Sequence, residues 1–256
     1  MDLEDKIAVI TAAGQGIGRA SALEFAAAGA TLVLGDLDGE LVARTAAEVE
    51  AAGGRAVALA CDVTVPDQVT RLVHTARDDF GRVDILFNHA GGSLGRPLHE
   101  VSVENFHHVV DLNLGSMFYG VRAALPIMME QRSGTILSTT SGGGIGAVPG
   151  LGVYGAAKAG MIALTRSIAA EYGRHGIRAN AISPGSMDTH GFRQWLDSLP
   201  GSDQDYFDQI PSGRLGAAED IARAACFLVS DYSSYINGIT LPVDGGTTGL
   251  LAIPHV

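Results

Sequence analysis

The sequence predicts an α/β fold: one doubly wound parallel sheet of about seven strands, with helices on both faces. Three observations carry that prediction. Short apolar runs rich in Val, Ile, Leu and Ala recur with little alternation, as in parallel strands buried on both faces. Between them lie longer stretches of helical periodicity, and strand–helix repeats with right-handed crossovers wind into such a sheet. Glycines stand where those helices should stop.

The strands are expected at Ile7–Ile10, Thr31–Gly35, Ala56–Cys61, Ile85–Asn88, Thr135–Thr139, Arg178–Ile182 and Ile239–Val243. The helices are expected at Arg19–Ala28, Asp38–Ala52, Pro66–Phe80, Val103–Glu130, Tyr154–Tyr172 and Ala217–Ser230. Gly29, Gly53, Gly81 and Gly173 occupy the C-cap positions. Pro242 cannot donate to a ladder, so it places the last strand at an edge. Val103–Glu130 and Tyr154–Tyr172 are apolar almost all round, more than one sheet face requires, which predicts a second buried contact such as another subunit. No linker, repeat or low-complexity segment divides the chain, so residues 1–256 read as one domain.

The chain has 256 residues, enough for one α/β domain with a large core. Its 34 glycines are about twice the usual ~7% share, which predicts many tight turns and close backbone approaches. A net charge of −11 disfavours nucleic acid and anionic membrane as partners. Cys61 and Cys226 give neither a disulfide framework nor a ligand cluster and fit a reducing cytosol. Met1–Lys6 is acidic and lacks the apolar stretch of a secretory signal, so the expected location is cytoplasmic. The histidines show no ligand spacing supported by carboxylates or cysteines, so no metal site is expected.

The first strand runs into Thr11, Ala12, Ala13, Gly14, Gln15, Gly16, Ile17 and Gly18, then a helix. Small residues let the backbone approach a pyrophosphate, and the helix N-terminus supplies N–H groups and a positive dipole end. A strict G-x-G-x-x-G is absent, because Arg19 stands at its third glycine. Asp36, followed by Leu37, ends the second strand eighteen positions after Gly18. A carboxylate there can accept from both ribose hydroxyls of an adenosine and repels a 2′-phosphate. Asp62 and Val63, and Asn88, His89, Ala90 and Gly91, follow the next two strands at the carboxyl edge, where ligands of such sheets bind.

Tyr154 and Lys158 are four apart in an expected helix, so their side chains share one face. Free tyrosine titrates near pH 10 and is a poor base at neutrality. An ammonium about 4 Å away at an effective dielectric of ~20 favours the phenolate by roughly 4 kcal/mol, less what burial returns. A tyrosine so placed can exchange a proton with a substrate oxygen, which Ser141 could hold.

Taken together, these motifs resemble the classical short-chain dehydrogenase/reductase family, and the resemblance spans nearly the whole chain. It rests on Thr11–Gly18, Asp36, Asp62-Val63, Asn88–Gly91, Asn113, Ser141, Tyr154, Lys158, Pro184-Gly185 through Thr189, and Val243–Gly246. Ser141 precedes Tyr154 by thirteen positions, the family's usual spacing. The resemblance implies a Rossmann-like fold, hydride transfer with a nicotinamide cofactor, and often a homotetramer built on the two long helices. It assigns Tyr154 as general acid/base, Ser141 to the substrate oxygen, and Lys158 to the tyrosine's pKa and the nicotinamide ribose. Asn113 would hold a water on a proton relay. Pro184, Gly185, Met187 and Thr189 would meet the cofactor, with Asp36 favouring NAD over NADP.

Two positions depart from the family pattern. Ala12 replaces its first glycine, and His89 replaces an asparagine, either as a pH-sensitive neighbour of the cofactor or as a packed side chain. The expected substrate is an uncharged secondary alcohol or ketone. A lid over residues 186–212 would offer Met187, Phe192, Trp195 and Leu196, facing Gly143, Gly144, Val148 and Pro149. Two alternatives stand beside this reading: a 3-oxoacyl-[acyl-carrier-protein] reductase-like enzyme, and a non-catalytic nucleotide-sensing protein on the same fold.

Overall fold

The apolar runs become β1 (Ile7–Thr11), β2 (Thr31–Asp36), β3 (Arg55–Ala60), β4 (Ile85–Asn88), β5 (Gly134–Thr139), β6 (Ile177–Pro184) and β7 (Thr240–Val243). This is a computed structural model, and it describes residues 1–93, 95–189, 192–193, 196–197 and 203–250. All seven strands are parallel, in the order β3-β2-β1-β4-β5-β6-β7. β1, β4 and β5 are buried throughout, in keeping with their mostly small and apolar residues and absence of charges. The winding reverses between β1 and β4, and that reversal opens a crevice at the carboxyl ends of the strands. β7 is an edge strand, where Pro242 is tolerated.

The helices are α1 (Gly16–Ala27), α2 (Gly39–Ala51), α3 (Pro66–Phe80), α4 (Val103–Val110), α5 (Ser116–Gln131), α6 (Gly152–Tyr172), α7 (Asp203–Phe207) and α8 (Ala218–Val229). Two apolar layers cover the sheet. On one face Phe25, Val42, Val49, Ile221 and Leu228 pack on Ile10, Leu32, Leu34 and Phe87. On the other, Leu72, Met117, Val121, Met128, Met161 and Ile168 pack on Val9, Val33, Leu86 and Ile136. Each fully buried side chain of this size contributes about 1.5–3 kcal/mol relative to exposure, so the two layers fix the sheet that carries the crevice. No helix among the described residues is long and apolar enough to cross a membrane.

Two sequence expectations are corrected here. The single helix expected over Val103–Glu130 is interrupted by a π-helical segment, Asp111–Gly115. Side chains take carbonyls from the helical ladder there: Asn113 Nδ2 donates to Val109 O at 2.8 Å, and Ser116 Oγ to Leu112 O at 2.7 Å. Gly29, Gly53 and Gly81 are left-handed at their helix ends, but Gly173 is not, with φ −56°. A 3₁₀ turn extends α6 and moves the left-handed residue to Gly176, with φ 74°.

Candidate active site

The loop between β1 and α1 is built on close approaches. A Cβ on Gly18 would lie 1.9 Å from Ala12 O, so only glycine lets α1 start under the strand end. Ala12 itself holds φ 53°, a left-handed conformation disfavoured for residues with a Cβ, which is why a glycine suits this position. Gly14 N donates to Asp36 Oδ2 at 2.9 Å, and Asp38 N donates to Asp36 Oδ1 at 3.0 Å. The Asp36 carboxylate is thereby fixed beside the loop, and each oxygen keeps acceptor capacity. Gln15 is exposed at the N-cap of α1, Ile17 packs against the core, and Leu37 lies exposed beside Asp36.

The ends of the next strands close the crevice. Asp62 Oδ1 accepts from Thr64 N and Thr64 Oγ1, an Asx turn that fixes the segment after β3, while Val63 is buried. Thr11 Oγ1 accepts from His89 N at 3.0 Å and Ala90 N at 3.1 Å, tying β1 to the segment after β4. Asn88 Oδ1 is buried without a partner, beside Ser138 on β5. His89 Nδ1 lies 2.9 Å from Thr139 Oγ1. Burial first, and then the Lys158 charge, push His89 down to about 4, so it stays neutral near pH 7.

Four candidate side chains converge on the carboxyl ends of β4 and β5. Ser141 caps a 3₁₀ turn, Gly142–Gly144, where its Oγ accepts from Gly143 N at 3.2 Å, and it stands near enough to Tyr154 to favour the phenolate. A Cβ on Gly144 would lie 2.8 Å from the Lys158 backbone, so this glycine lets the turn sit on α6. Lys158 Nζ donates to Thr139 O at 2.7 Å and lies 5.6 Å from the Tyr154 ring centroid. Asn113, buried in the π segment, donates to Gly92 O and accepts from Gly92 N. A Cβ on Gly91 would lie 2.6 Å from Asn113 Oδ1 and 2.9 Å from Lys158 Nζ, so those two groups flank one backbone position.

The electrostatics differ from the sequence expectation. Burial raises the Tyr154 pKa, with Ser141 partly offsetting it, rather than Lys158 lowering it. Burial also brings Lys158 down to about 7, so the ammonium is only partly present at neutrality. Desolvation opposes each charge separately, and neither shift carries a contribution from the other group. Tyr154 is therefore held as a proton-bearing phenol at neutral pH.

Among the described residues of 186–212, Ser186 Oγ bonds Tyr206 OH at 2.7 Å, and Phe192 meets Tyr206 edge-on at 5.6 Å. Met187 is buried in the core against Gly216, so its side chain is not a substrate wall in this structure. Thr189 N bonds Met187 O. Gly185 N bonds Val243 O, which sets Pro184–Gly185 against β7. Val148 is exposed, Leu196 is buried, and Trp195 lies outside the described residues. No group of three or more His, Cys, Asp or Glu that could hold a metal occurs among the described residues.

A family model described as enoyl-(acyl carrier protein) reductase matches residues 11–248. The chain belongs to the short-chain dehydrogenase/reductase family, an oxidoreductase family that binds a nicotinamide cofactor. Levodione reductase from Leifsonia aquatica is 40% identical over 250 residues, covering 94% of each chain. A 3-oxoacyl-[acyl-carrier-protein] reductase from Thermotoga maritima is 36% identical, covering 96% of this chain and 99% of its own. The crystal structure of levodione reductase superposes with a TM-score of 0.91 at 37% identity, over 97% of this chain and 100% of its own. A 7α-hydroxysteroid dehydrogenase complexed with NADH and 7-oxoglycochenodeoxycholic acid gives 0.91 at 34%, over 96% and 95%.

The features of this short-chain dehydrogenase/reductase site that sequence reasoning missed are mostly backbone. Thr139 contributes a carbonyl to Lys158, and a carbonyl leaves no mark on residue type. The π segment that places Asn113 was hidden in a continuous apolar helix pattern. The side-chain link from His89 to Thr139 crosses between strands and needs the register Asn88–Ser138 to exist.

Proposed function

We propose that this protein is an NAD(H)-dependent oxidoreductase that interconverts an uncharged secondary alcohol and its ketone. The observation that supports it is the convergence of Ser141, Tyr154, Lys158 and Asn113 at the carboxyl ends of β4 and β5. The crevice fits a dinucleotide: the β1–α1 loop presents α1's N-terminus, and the fixed Asp36 carboxylate stands beside it. Residues of Thr11–Gly18 with Asp36, Leu37, Asp62 and Val63 would hold the adenosine half. Asn88, Ala90, Gly91, Tyr154, Lys158, Pro184, Gly185 and Thr189 would hold the other half. When bound, the nicotinamide supplies or accepts the hydride. Ser141 orients the substrate oxygen, Tyr154 donates or accepts its proton, and Lys158 replenishes that proton from the Asn113 side.

The substrate class is supported by what surrounds the site. Curated relatives at 34–40% identity include a meso-2,3-butanediol dehydrogenase from Serratia marcescens, a 3β-hydroxysteroid dehydrogenase from Eggerthella lenta and the levodione reductase. The carrier-protein reductases among the relatives and the matched family model speak for the second reading. Against it, Arg193 is engaged by Asp188 and Asp203, and Arg214 by Asp220, so these basic groups are already neutralised for a phosphate or an acidic carrier. We further propose that α4 and α5 form a subunit contact, because Val103, Phe106 and Phe118 are exposed on them.

NADH fluorescence tests the central reading. Cyclic or aryl-alkyl ketones should exceed 2-oxo acids and CoA thioesters in kcat/KM. A charged substrate proving best would overturn it, and a monomer by light scattering would overturn the subunit contact.

A further inference from the structure

The segment after β7 carries a contact set that the catalytic residues do not explain. Asp244 Oδ1 accepts from Gly246 N at 2.9 Å, and Asp244 Oδ2 accepts from Thr248 N at 2.8 Å and Thr248 Oγ1 at 2.6 Å. Thr247 Oγ1 donates back to Asp244 O at 2.9 Å. Burial raises the Asp244 carboxyl, but the bonds from Thr248 and Gly246 outweigh it and hold it below the usual carboxylate range.

This turn touches three parts of the site at once. A Cβ on Gly185 would lie 2.6 Å from Asp244 Cα, so Pro184–Gly185 rests directly on it. Ser212 N donates to Gly245 O at 3.1 Å, which joins the turn to the far end of the 186–212 segment. A Cβ on Gly142, the neighbour of Ser141, would lie 3.8 Å from Thr248 Cγ2. The Thr248 hydroxyl is committed to Asp244, which leaves its methyl on the Gly142 side. Thr248 is solvent-exposed, and at Gly142 there is no side chain between that methyl and the Ser141 turn.

We propose that Thr248, held in place by Asp244, is a wall of the substrate site and determines which ketone substituents fit beside Ser141. This rests on the ketone reading given above. The two carboxylate bonds to Thr248 make the wall rigid, because the methyl cannot rotate away without breaking the shorter of them. A rigid wall discriminates by substituent size, and one methyl-sized change in such a pocket is worth about tenfold in specificity.

The test compares cyclohexanone with 4-tert-butylcyclohexanone, using NADH and the full-length protein. Thr248→Ser keeps the hydroxyl bond and removes the methyl, and it should shift the kcat/KM ratio toward the larger ketone by about tenfold. Thr248→Phe should shift the ratio the other way. Asp244→Asn, which loses one acceptor oxygen, should change the ratio in the same direction as Thr248→Ser. NADH affinity should stay within about twofold of wild type in the two Thr248 variants, since no dinucleotide contact is altered. Ratios unchanged in the Thr248 variants overturn the wall while leaving the ketone reading intact. An unchanged ratio in Asp244→Asn alone overturns the role of Asp244 as its holder. Turnover of neither ketone by wild type, with NADH still bound, overturns both readings together.

Discussion

The two ends of the sheet treat buried polar groups in opposite ways. At the amino ends of β1, β4, β5 and β6 lies a groove of about 590 Å³ lined by Lys6, Asp84, Arg178, Asp231 and Asn237, among others. Its buried charges are satisfied within the chain. Asp84 accepts from Ile7 N at 2.9 Å and pairs with Arg82, while Arg178 donates to three backbone carbonyls and to Thr135 Oγ1. At the carboxyl ends, Lys158 is buried with one carbonyl partner, Asn88 Oδ1 has none, and Tyr154 is held above its ordinary pKa. One end spends its polar groups on holding strands together. The other keeps them under-satisfied, as expected where a ligand completes the set.

The largest effect that would break this comparison is at Tyr154. Tyr154→Phe keeps the ring and removes the exchangeable proton, so turnover should fall by at least ~10²-fold while NADH still binds. Near-normal turnover of a folded, NADH-bound Tyr154→Phe protein would return Tyr154 to the class of structural residues.

Asp36 gives the next effect. Wild type should bind NADH roughly ten- to a hundredfold tighter than NADPH, because a 2′-phosphate would face the carboxylate in place of the 2′-hydroxyl. Asp36→Ser should narrow that gap. Fluorescence titration with both nucleotides checks it, and equal affinities in wild type would remove Asp36 from the site.

At the other end, Arg178→Met should lower stability by roughly 2–3 kcal/mol, since it strands buried acceptors, yet leave kcat unchanged. Chemical denaturation alongside a turnover assay separates the two. A loss of kcat at full stability would show that the two ends are not independent.

The smallest effect sharpens the contrast. Lys158 titrates at about 7 in the folded protein against 10.5 when unperturbed. The unfolded chain therefore holds more protons between those values, so the group's cost to stability is complete below pH 7 and fades as pH rises toward 10.5. Lys158→Met should stabilise the nucleotide-free protein by roughly 1–3 kcal/mol at pH 6, even with the Thr139 carbonyl stranded, and by less at pH 9. Thermal melts at both values test this; an equal Tm difference at the two pH values would show that the lysine's charge is not the cause. A residue whose removal stabilises is one kept for chemistry.

Most of the sheet could be read from sequence, because a strand buried on both faces has to be an apolar run. Ile85–Asn88 appears in the structure with the limits expected, and the other strands shift by one or two residues at their ends. The candidate proton-transfer group was legible for a similar reason. Ser141, Tyr154 and Lys158 are chemically distinctive side chains at a fixed spacing, and helix geometry alone puts two of them on one face. The same local rule carried Asp36, which a strand end and a glycine loop bring together within one βαβ unit.

Tertiary structure decided what depends on dielectric, backbone and distant contacts. The direction of the Tyr154 shift turned on burial, and burial is a property of the whole packed site. Met187 moved from the expected substrate wall into the core because the Met187–Gly216 bridge, invisible in the local pattern, fixes its direction. Thr248 joined the neighbourhood of Ser141 across more than a hundred residues of chain, through one carboxylate that caps a turn after the last strand. Residue type and spacing determined which candidate groups this protein brings to the site; the three-dimensional packing determined how those groups are charged and what lies beside them.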